Sequence, residues 1–173
     1  MDLSRAEIMI AALTRRLKGC RTVAVGNASP LPAAAALLAR ASAGGEGGEE
    51  VRVLLLGSRR HNCFTDGGRE LFDCAAQGRI DAFFLSGGQI DGAANLNLVG
   101  LGAYPKLTRR FAGSFGSAYL YFAVARVILF REEHTRRTLV SRVDFVSAPG
   151  VSPPAVPRRG GPVALVTGRS VFA

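Results

Sequence analysis

The sequence predicts an α/β protein, with a mostly parallel sheet covered by helices on both faces in a three-layer αβα arrangement. Short apolar runs with strand character alternate along the chain with helical segments, and this alternation is typical of such a sheet. The chain has 173 residues, of which 48% are hydrophobic and 20% charged. These values fit one globular domain, residues 1–173, with a buried core.

The predicted elements begin with a helix near the N-terminus. Ser4 and Glu7 have capping-box spacing, and apolar residues recur at helical intervals until Gly19. The later elements follow from apolar runs bounded by Gly, Pro or charged residues. In chain order they are strand 22–25, helix 33–41 behind Pro32, a flexible acidic connection at 44–50, strand 51–56, a polar loop at 57–68, helix 69–77, strand 81–85, a stretch of few regular elements at 95–116, helix 117–124, strand 127–130, strand-like segments 138–140 and 143–146, and a last strand at 163–167.

The formal net charge is +9, and a basic protein attracts anions. The arginines occur as scattered pairs, such as Arg59-Arg60 and Arg158-Arg159, rather than as one block. Aromatic residues do not alternate with them as a single-strand binder would need. The pattern therefore argues against a nucleic-acid partner. Most of these arginines are interpreted as solvated surface, and one or two pairs suit a phosphorylated small molecule.

Cysteine usage and hydropathy indicate a soluble, reducing environment. Cys20, Cys63 and Cys74 are odd in number and lack CxxC spacing, which argues against a disulfide framework and a zinc site. Residues 1–7 carry charges where a signal peptide needs an apolar run. The longest apolar stretch, 118–125, is too short to span a bilayer. A cytoplasmic location, no metal and no membrane partner are expected.

Ligands of parallel sheets bind outside the carboxyl ends of the strands, so the loops after Val25, Leu56 and Leu85 are expected to line one cleft. In the first loop, Gly26 opens a turn into a helix whose positive end suits an anion, although an ordinary strand-to-helix turn explains it equally. The second loop gathers unusually many polar groups, which together favour a site. Its candidate catalytic residues are Glu70, Asp66 and His61, and its candidate binding residues are Ser58, Arg59 and Arg60.

Each residue of the second loop also has a plain structural interpretation. Asp66 suits a helix N-cap, Glu70 an exposed first-turn position and His61 a loop hydrogen bond. Two further segments carry candidate binding residues, and turn chemistry is their structural alternative. The segment at 86–97 contributes Gly87, Gly88, Gln89 and Asn95, and the segment at 111–118 contributes Gly113, Ser114, Gly116 and Ser117, where glycines before a helix form a concavity for a phosphate or thioester oxygen.

Taken in order, these motifs form a recognisable series. It runs through Leu85-Ser86-Gly87-Gly88-Gln89-Ile90-Asp91, Asn95-Leu96-Asn97, Gly113-Ser114-Phe115-Gly116-Ser117-Ala118 and Val143-Asp144-Phe145-Val146-Ser147-Ala148-Pro149-Gly150. The series resembles the β-type subunit of family I CoA-transferases, the group that includes glutaconate and 3-oxoacid CoA-transferases. The resemblance implies an open α/β sheet and an α-type partner subunit in a heterodimer or heterotetramer. It also implies coenzyme A as a substrate rather than a permanently bound cofactor.

Two departures from this family affect the expected chemistry. The family's attacking glutamate stands just after the second strand, where this chain has Leu56. A leucine cannot form the covalent acyl and CoA intermediates of transfer. The family also continues beyond the strand at 163–167, so a shortened C-terminal part is expected.

The resemblance therefore leaves several functions open. They are a CoA-transferase subunit with another acid, a subunit of the branch that opens CoA-linked rings by hydrolysis, and a non-catalytic CoA-binding or scaffolding subunit. A sugar-phosphate-binding relative is a further alternative, by fold analogy alone.

Overall fold

The computed structural model describes residues 2–44 and 50–173. All but the two end residues of the predicted acidic connection at 44–50 lie outside this range. The described elements, in order, are α1 (Arg5–Arg15), β1 (Thr22–Val25), α2 (Pro30–Ala43), β2 (Arg52–Leu55), α3 (Gly67–Ala76), β3 (Ala82–Leu85), β4 (Gln89–Ile90), β5 (Leu96–Asn97), β6 (Gly100–Leu101), β7 (Arg109–Arg110), α4 (Ser117–Ala123), β8 (Arg126–Arg131), β9 (Gly161–Thr167) and β10 (Val171–Phe172).

Six strands form the central sheet, in the order β10-β9-β8-β3-β1-β2. The pairs β1–β2, β1–β3, β3–β8 and β8–β9 are parallel, and β10 joins the edge antiparallel to β9. Two small antiparallel pairs, β4–β5 and β6–β7, lie outside this sheet. The predicted mostly parallel sheet is confirmed.

The helices cover the two faces of the sheet, because side chains alternate along each strand. Val23, Val25 and Phe84 pack into a core with residues of α1 and α2. Their neighbours Ala24, Phe83 and Leu85 pack into a second core with residues of α3 and α4. Two cores separated by one sheet make the three-layer αβα arrangement that the sequence predicted.

Most predicted elements are present, with boundaries shifted by a few residues. Ser4 and Glu7 form the predicted capping box of α1. The predicted last strand at 163–167 is followed by β10, which the apolar pattern missed because only Val171 and Phe172 take part.

The predicted strand-like segments 138–140 and 143–146 are not strands. They belong to the helix-free connection between β8 and β9, residues 132–160. In that connection Leu139 makes one bridge to Ile90 and Ala148 makes one to Leu96. Leu139 packs on the core that contains Ile90 and Leu96, but a single bridge does not extend the first segment into a strand.

Within residues 2–44 and 50–173, no helix combines the length and the apolar character that crossing a bilayer requires.

Candidate functional site

The loops at the carboxyl ends of β1, β2 and β3 meet at one cavity of about 500 Å³, here called the strand-end cleft. Its volume lies in the range of pockets that hold small molecules, roughly 300–1,000 Å³. The predicted common cleft is therefore present. It is lined by Gly26, Asn27, Ser29, Leu56, Asn62, Gly67, Gly68, Leu71, Phe72, Phe83, Phe84, Leu85, Ser86, Phe115, Ser117, Leu120 and Phe130.

Three helices begin beside the strand-end cleft. Ser29 precedes α2, Gly67 and Gly68 open α3, and Ser117 opens α4. A helix N-terminus carries a partial positive charge from its aligned peptide dipoles. These partial charges favour a carbonyl oxygen that becomes negative during reaction beside the helix starts.

Leu56 lies where the loops that follow β1 and β2 meet. Its N–H donates to the Val25 carbonyl at 3.1 Å, and its carbonyl accepts from Asn62 Nδ2 at 3.1 Å. Gly57 follows it because a Cβ there would overlap the Asn27 side chain. The half-buried leucine side chain lines the cleft where the family resemblance places a glutamate. No acidic residue or cysteine is among the lining residues.

Asn62 is a cleft residue that the sequence reasoning missed. Besides its bond to Leu56, its Oδ1 accepts from the Phe64 N–H at 3.1 Å. These two bonds fold the loop after β2 over the cleft. An amide side chain in a long loop after a buried strand was the available signal.

Asp66 and Glu70 occupy the N-cap and first-turn positions of α3 as interpreted, but Glu70 rather than Asp66 accepts the bonds from the backbone there. Asp66 occupies the N-cap position of α3, but its side chain makes no capping bond. Its carboxylate instead contacts Arg69 at 3.4 Å on the surface. Glu70 reaches back and accepts from the Asp66 N–H at 2.8 Å and from the N–H of Thr65. These bonds, with that from Asp66 the largest effect, lower the pKa of Glu70.

Ser58, Arg60 and His61 form a separate turn. The Ser58 hydroxyl accepts from the N–H groups of Arg60 and His61 at 3.2 and 3.1 Å, and the His61 carbonyl accepts from the Leu55 N–H at 3.0 Å. Arg60 and His61 line a different cavity of about 460 Å³ beside Val53 and Leu54 of the edge strand β2. The structure therefore does not bring them together with Gly26 and Ser117, and Arg59 remains exposed.

Gln89 and Asn97 form a buried amide pair. Asn97 Nδ2 donates to Gln89 Oε1 at 2.7 Å and to the Gly100 carbonyl at 2.7 Å. Gln89 Oε1 also accepts from the Asp144 N–H at 3.0 Å. The pair ties the segment after β3 to the connection before β9, which is a structural task.

The residues flanking the amide pair are engaged in the same way. Asn95 Oδ1 accepts from the Gly150 N–H at 3.0 Å, and Asn95 Nδ2 donates to Asp91 at 3.1 Å. The Gly88 N–H donates to the Asn97 carbonyl at 2.9 Å, and the Phe111 ring packs where a Cβ of residue 88 would stand. The turn-chemistry alternative explains these contacts, while Gly87 packs against Leu96.

The turn at 113–117 uses its backbone donors inside the fold. The Gly113 N–H donates to the Leu98 carbonyl at 3.1 Å, and the Ser117 N–H donates to the Ser114 carbonyl at 2.9 Å. Gly116 has φ +67° and abuts the Phe72 ring. The N–H groups of Gly88, Gly113 and Ser117 thus have acceptors within the fold, and binding of a thioester oxygen by these two segments stays a prediction.

The predicted residues thus divide into two groups. Gly26 and Ser117 line the strand-end cleft, together with Leu56. The remaining predicted binding and catalytic residues lie outside its lining, and a role for them in binding or catalysis stays a prediction.

A second cavity of about 600 Å³ lies elsewhere on the sheet, between β8, β9 and the segment after β4. It is lined mainly by apolar residues such as Leu129, Leu139, Leu165 and Phe172, and Asp91 is its one acidic lining residue. We favour the strand-end cleft as the site because three strand ends and three helix starts converge there. Among the described residues, no group of three or more His, Cys, Asp or Glu side chains is arranged to hold a metal ion.

Three solved structures with similar folds are longer than this chain. The decarboxylase AibA/AibB gives a TM-score of 0.80 at 25% sequence identity, over 99% of this chain and 73% of that one. IpdAB from Rhodococcus jostii RHA1 gives 0.80 at 24% identity, over 99% and 73%. Glutaconate coenzyme A-transferase from Acidaminococcus fermentans gives 0.79 at 19% identity, over 98% and 74%.

No protein-family model matches the chain, and no curated protein matches it. The strand order, the layers and these three superpositions agree with one another. They confirm the resemblance drawn from the motifs: the chain has the family I CoA-transferase-like fold.

Proposed function

We propose that the chain, as a single domain, is one subunit of a cytoplasmic two-chain enzyme that acts on acyl-CoA thioesters. The observation that supports this most directly is the strand-end cleft, where three helix N-termini face one cavity. A thioester oxygen gains negative charge when its carbonyl carbon is attacked, and such ends stabilise that charge. CoA would enter and leave as substrate rather than remain bound.

The resemblance to AibA/AibB and IpdAB, each named for two components, supports a partner subunit of the α type. The exposed arginines of the loop after β2 would meet the phosphates of CoA, because the guanidinium group binds phosphate well. Arg69 is the best placed of them. It follows directly on Gly67 and Gly68 of the cleft, and its side chain is 80% exposed.

The group that attacks the thioester would come from the partner subunit. Leu56 stands where a nucleophilic carboxylate would be needed, and the lining of the cleft contains no acidic residue. CoA transfer between carboxylic acids remains the reaction class that the resemblance favours. The leucine favours a second candidate, a CoA-dependent ring-opening hydrolase subunit whose acid also lies on the partner. If the partner proves active alone, the role of this chain is CoA binding or support.

Co-expression with an α-type partner tests the proposal. We expect the purified complex to exchange CoA between carboxylic acids or to hydrolyse CoA-linked substrates, and this chain alone to bind CoA without turnover. Calorimetry with CoA and enzymatic assays on a small acyl panel measure both. Absence of CoA binding to the chain and to the complex would refute the proposal.

Leu56→Glu tests the position of the missing nucleophile. The new carboxylate should attack an acyl-CoA, releasing the CoA thiolate and forming an acyl anhydride. The thiolate then attacks the glutamyl carbonyl, releases the carboxylic acid and leaves a glutamyl-CoA thioester. Mass spectrometry should detect this adduct on the variant and not on the parent chain. A CoA adduct on the parent chain would contradict the assignment of the acid to the partner.

A further inference from the structure

The lining of the strand-end cleft has a consequence for substrate choice. We propose that it accepts an uncharged hydrophobic acyl group, alkyl or alicyclic, and selects against acyl groups that carry a second carboxylate. This inference rests on the proposed function and adds the substrate class to it.

The larger side chains of the lining are apolar. They come from the strand ends, from the helices α3 and α4 and from the turn before α4, and none of the lining residues is charged. The apolar members are Leu56, Leu71, Phe72, Phe83, Phe84, Leu85, Phe115, Leu120 and Phe130. A carboxylate that entered this space would lose water and gain only the partial charges of the helix starts, with no charged side chain in the lining to offset that loss, which is unfavourable.

Most polar side chains of the lining are already engaged by their own loops. The Ser29 hydroxyl donates to the Asn27 carbonyl at 3.2 Å, and the Ser117 hydroxyl donates to the Ser114 carbonyl at 2.9 Å. Asn62 uses both ends of its amide, toward Leu56 and Phe64. These three side chains, which could have solvated an acidic tail, are therefore committed to their own loops.

The mouth of the cleft is also apolar. Phe115 is 87% exposed and its ring lies 5.7 Å from that of Phe72, centroid to centroid. Phe115 also packs over Gly68, where a Cβ would stand 3.2 Å from the ring. An exposed aromatic ring next to a cavity gains free energy when a hydrophobic ligand covers it. The mouth and the interior thus favour the same kind of acyl group.

Calorimetry with the full chain measures this preference through two pairs of ligands. Hexanoyl-CoA and adipoyl-CoA have the same number of acyl carbons, and the second adds a terminal carboxylate. We expect hexanoyl-CoA to bind at least tenfold more tightly than adipoyl-CoA. It should also bind about 15-fold more tightly than butanoyl-CoA, since each buried methylene contributes about fourfold.

Leu56→Arg supplies the missing cation and should shift the preference toward adipoyl-CoA. Phe115→Arg does the same at an exposed position that tolerates substitution. Leu38→Arg makes a matching change on the outer face of α2, at a leucine that is 44% exposed, and should leave the preference unchanged.

Equal or tighter binding of adipoyl-CoA by the parent chain would overturn the inference while leaving the proposed function intact. Failure of CoA and of every acyl-CoA to bind would overturn both.

Discussion

Glu70 shows that the type of a side chain does not by itself reveal its role. A carboxylate in a polar loop beside a histidine and arginines resembles a catalytic acid in the sequence. In the fold its oxygens accept hydrogen bonds from the backbone of Thr65 and Asp66 at the start of α3. A glutamate can serve as a catalytic acid or as an acceptor at a helix start. Only its reach back along the chain, to the N–H groups of preceding residues, distinguishes the two roles here. That reach depends on a turn whose geometry the sequence does not specify.

Replacing Glu70 by Gln should lower the melting temperature at neutral pH without reducing turnover by the complex. The pKa of Glu70 is lowered in the folded protein, chiefly by the Asp66 N–H. Its stabilising contribution is therefore complete above the ordinary value of 4.5 and lost as pH falls through the lowered pKa. Calorimetric melting of both proteins from neutral to acidic pH should show their difference shrinking in that window.

Glu132→Gln is the matched control, because Glu132 is an exposed carboxylate that lies outside the helices. Its melting temperature should follow the parent protein at every pH. A large loss of turnover in Glu70→Gln, with stability retained, would restore Glu70 as a catalytic residue.

At the scale of elements, the turn before α4 sets one wall of the strand-end cleft. Gly116 adopts φ +67° and lies against Phe72, which in turn contacts Phe115 and Tyr119. The sequence indicated a glycine turn before a helix but assigned it to ligand binding. Gly116 has a left-handed φ and abuts the Phe72 ring, so a glycine is needed there for backbone conformation and close packing.

Gly116→Ala should destabilise the protein by at least about 1 kcal/mol, the cost of a left-handed conformation for a residue with a Cβ. The added methyl group must also displace the Phe72 ring, so hexanoyl-CoA should bind more weakly. Urea unfolding and calorimetry measure the two effects.

Gly92→Ala is the control for that change, since Gly92 has ordinary φ and no atom within 4 Å of an added Cβ. Its stability should stay within about 0.5 kcal/mol of the parent. Equal effects of the two substitutions would show that the turn does not shape the cleft.

The longer elements were predictable because each contains several buried apolar residues in a recognisable pattern, as in β3, where all four residues are buried. The two-residue strands β4 to β7 are too short to show such a pattern. They are defined by partners distant in sequence, such as Asn97 and its contacts with Gln89 and Gly100. The segments 138–140 and 143–146 failed as predicted strands for the same reason: their apolar residues cover other loops instead of joining the sheet.

At the scale of the whole molecule, topology predicted the strand-end cleft better than the motifs did. Because parallel strands end at one edge, Gly26, Leu56 and Ser86 were expected together and do meet. The sequence did not indicate that the loop after β2 divides between two cavities. Its first turn stays beside the edge strand with His61, while Asn62 bends over the cleft.

The net charge of +9 gives a prediction for the whole molecule. The affinity for CoA should fall as salt rises from about 50 mM to about 500 mM, because exposed charges are then screened within a few ångströms. Calorimetry at several salt concentrations measures the slope.

Hexanoyl-pantetheine, which has no phosphates, is the control ligand and should bind with little salt dependence. The same slope for both ligands would contradict an electrostatic contribution from the arginines.

The helix-free connection between β8 and β9 also bears on how the chain is made. During synthesis β9 leaves the ribosome only after all of residues 132–160. Until then β8, whose residues 127–129 are buried in the finished fold, has an unpaired edge. Such an edge is open to pairing with other nascent chains. Cells that produce this protein in quantity should therefore require chaperones that shield the unfinished sheet.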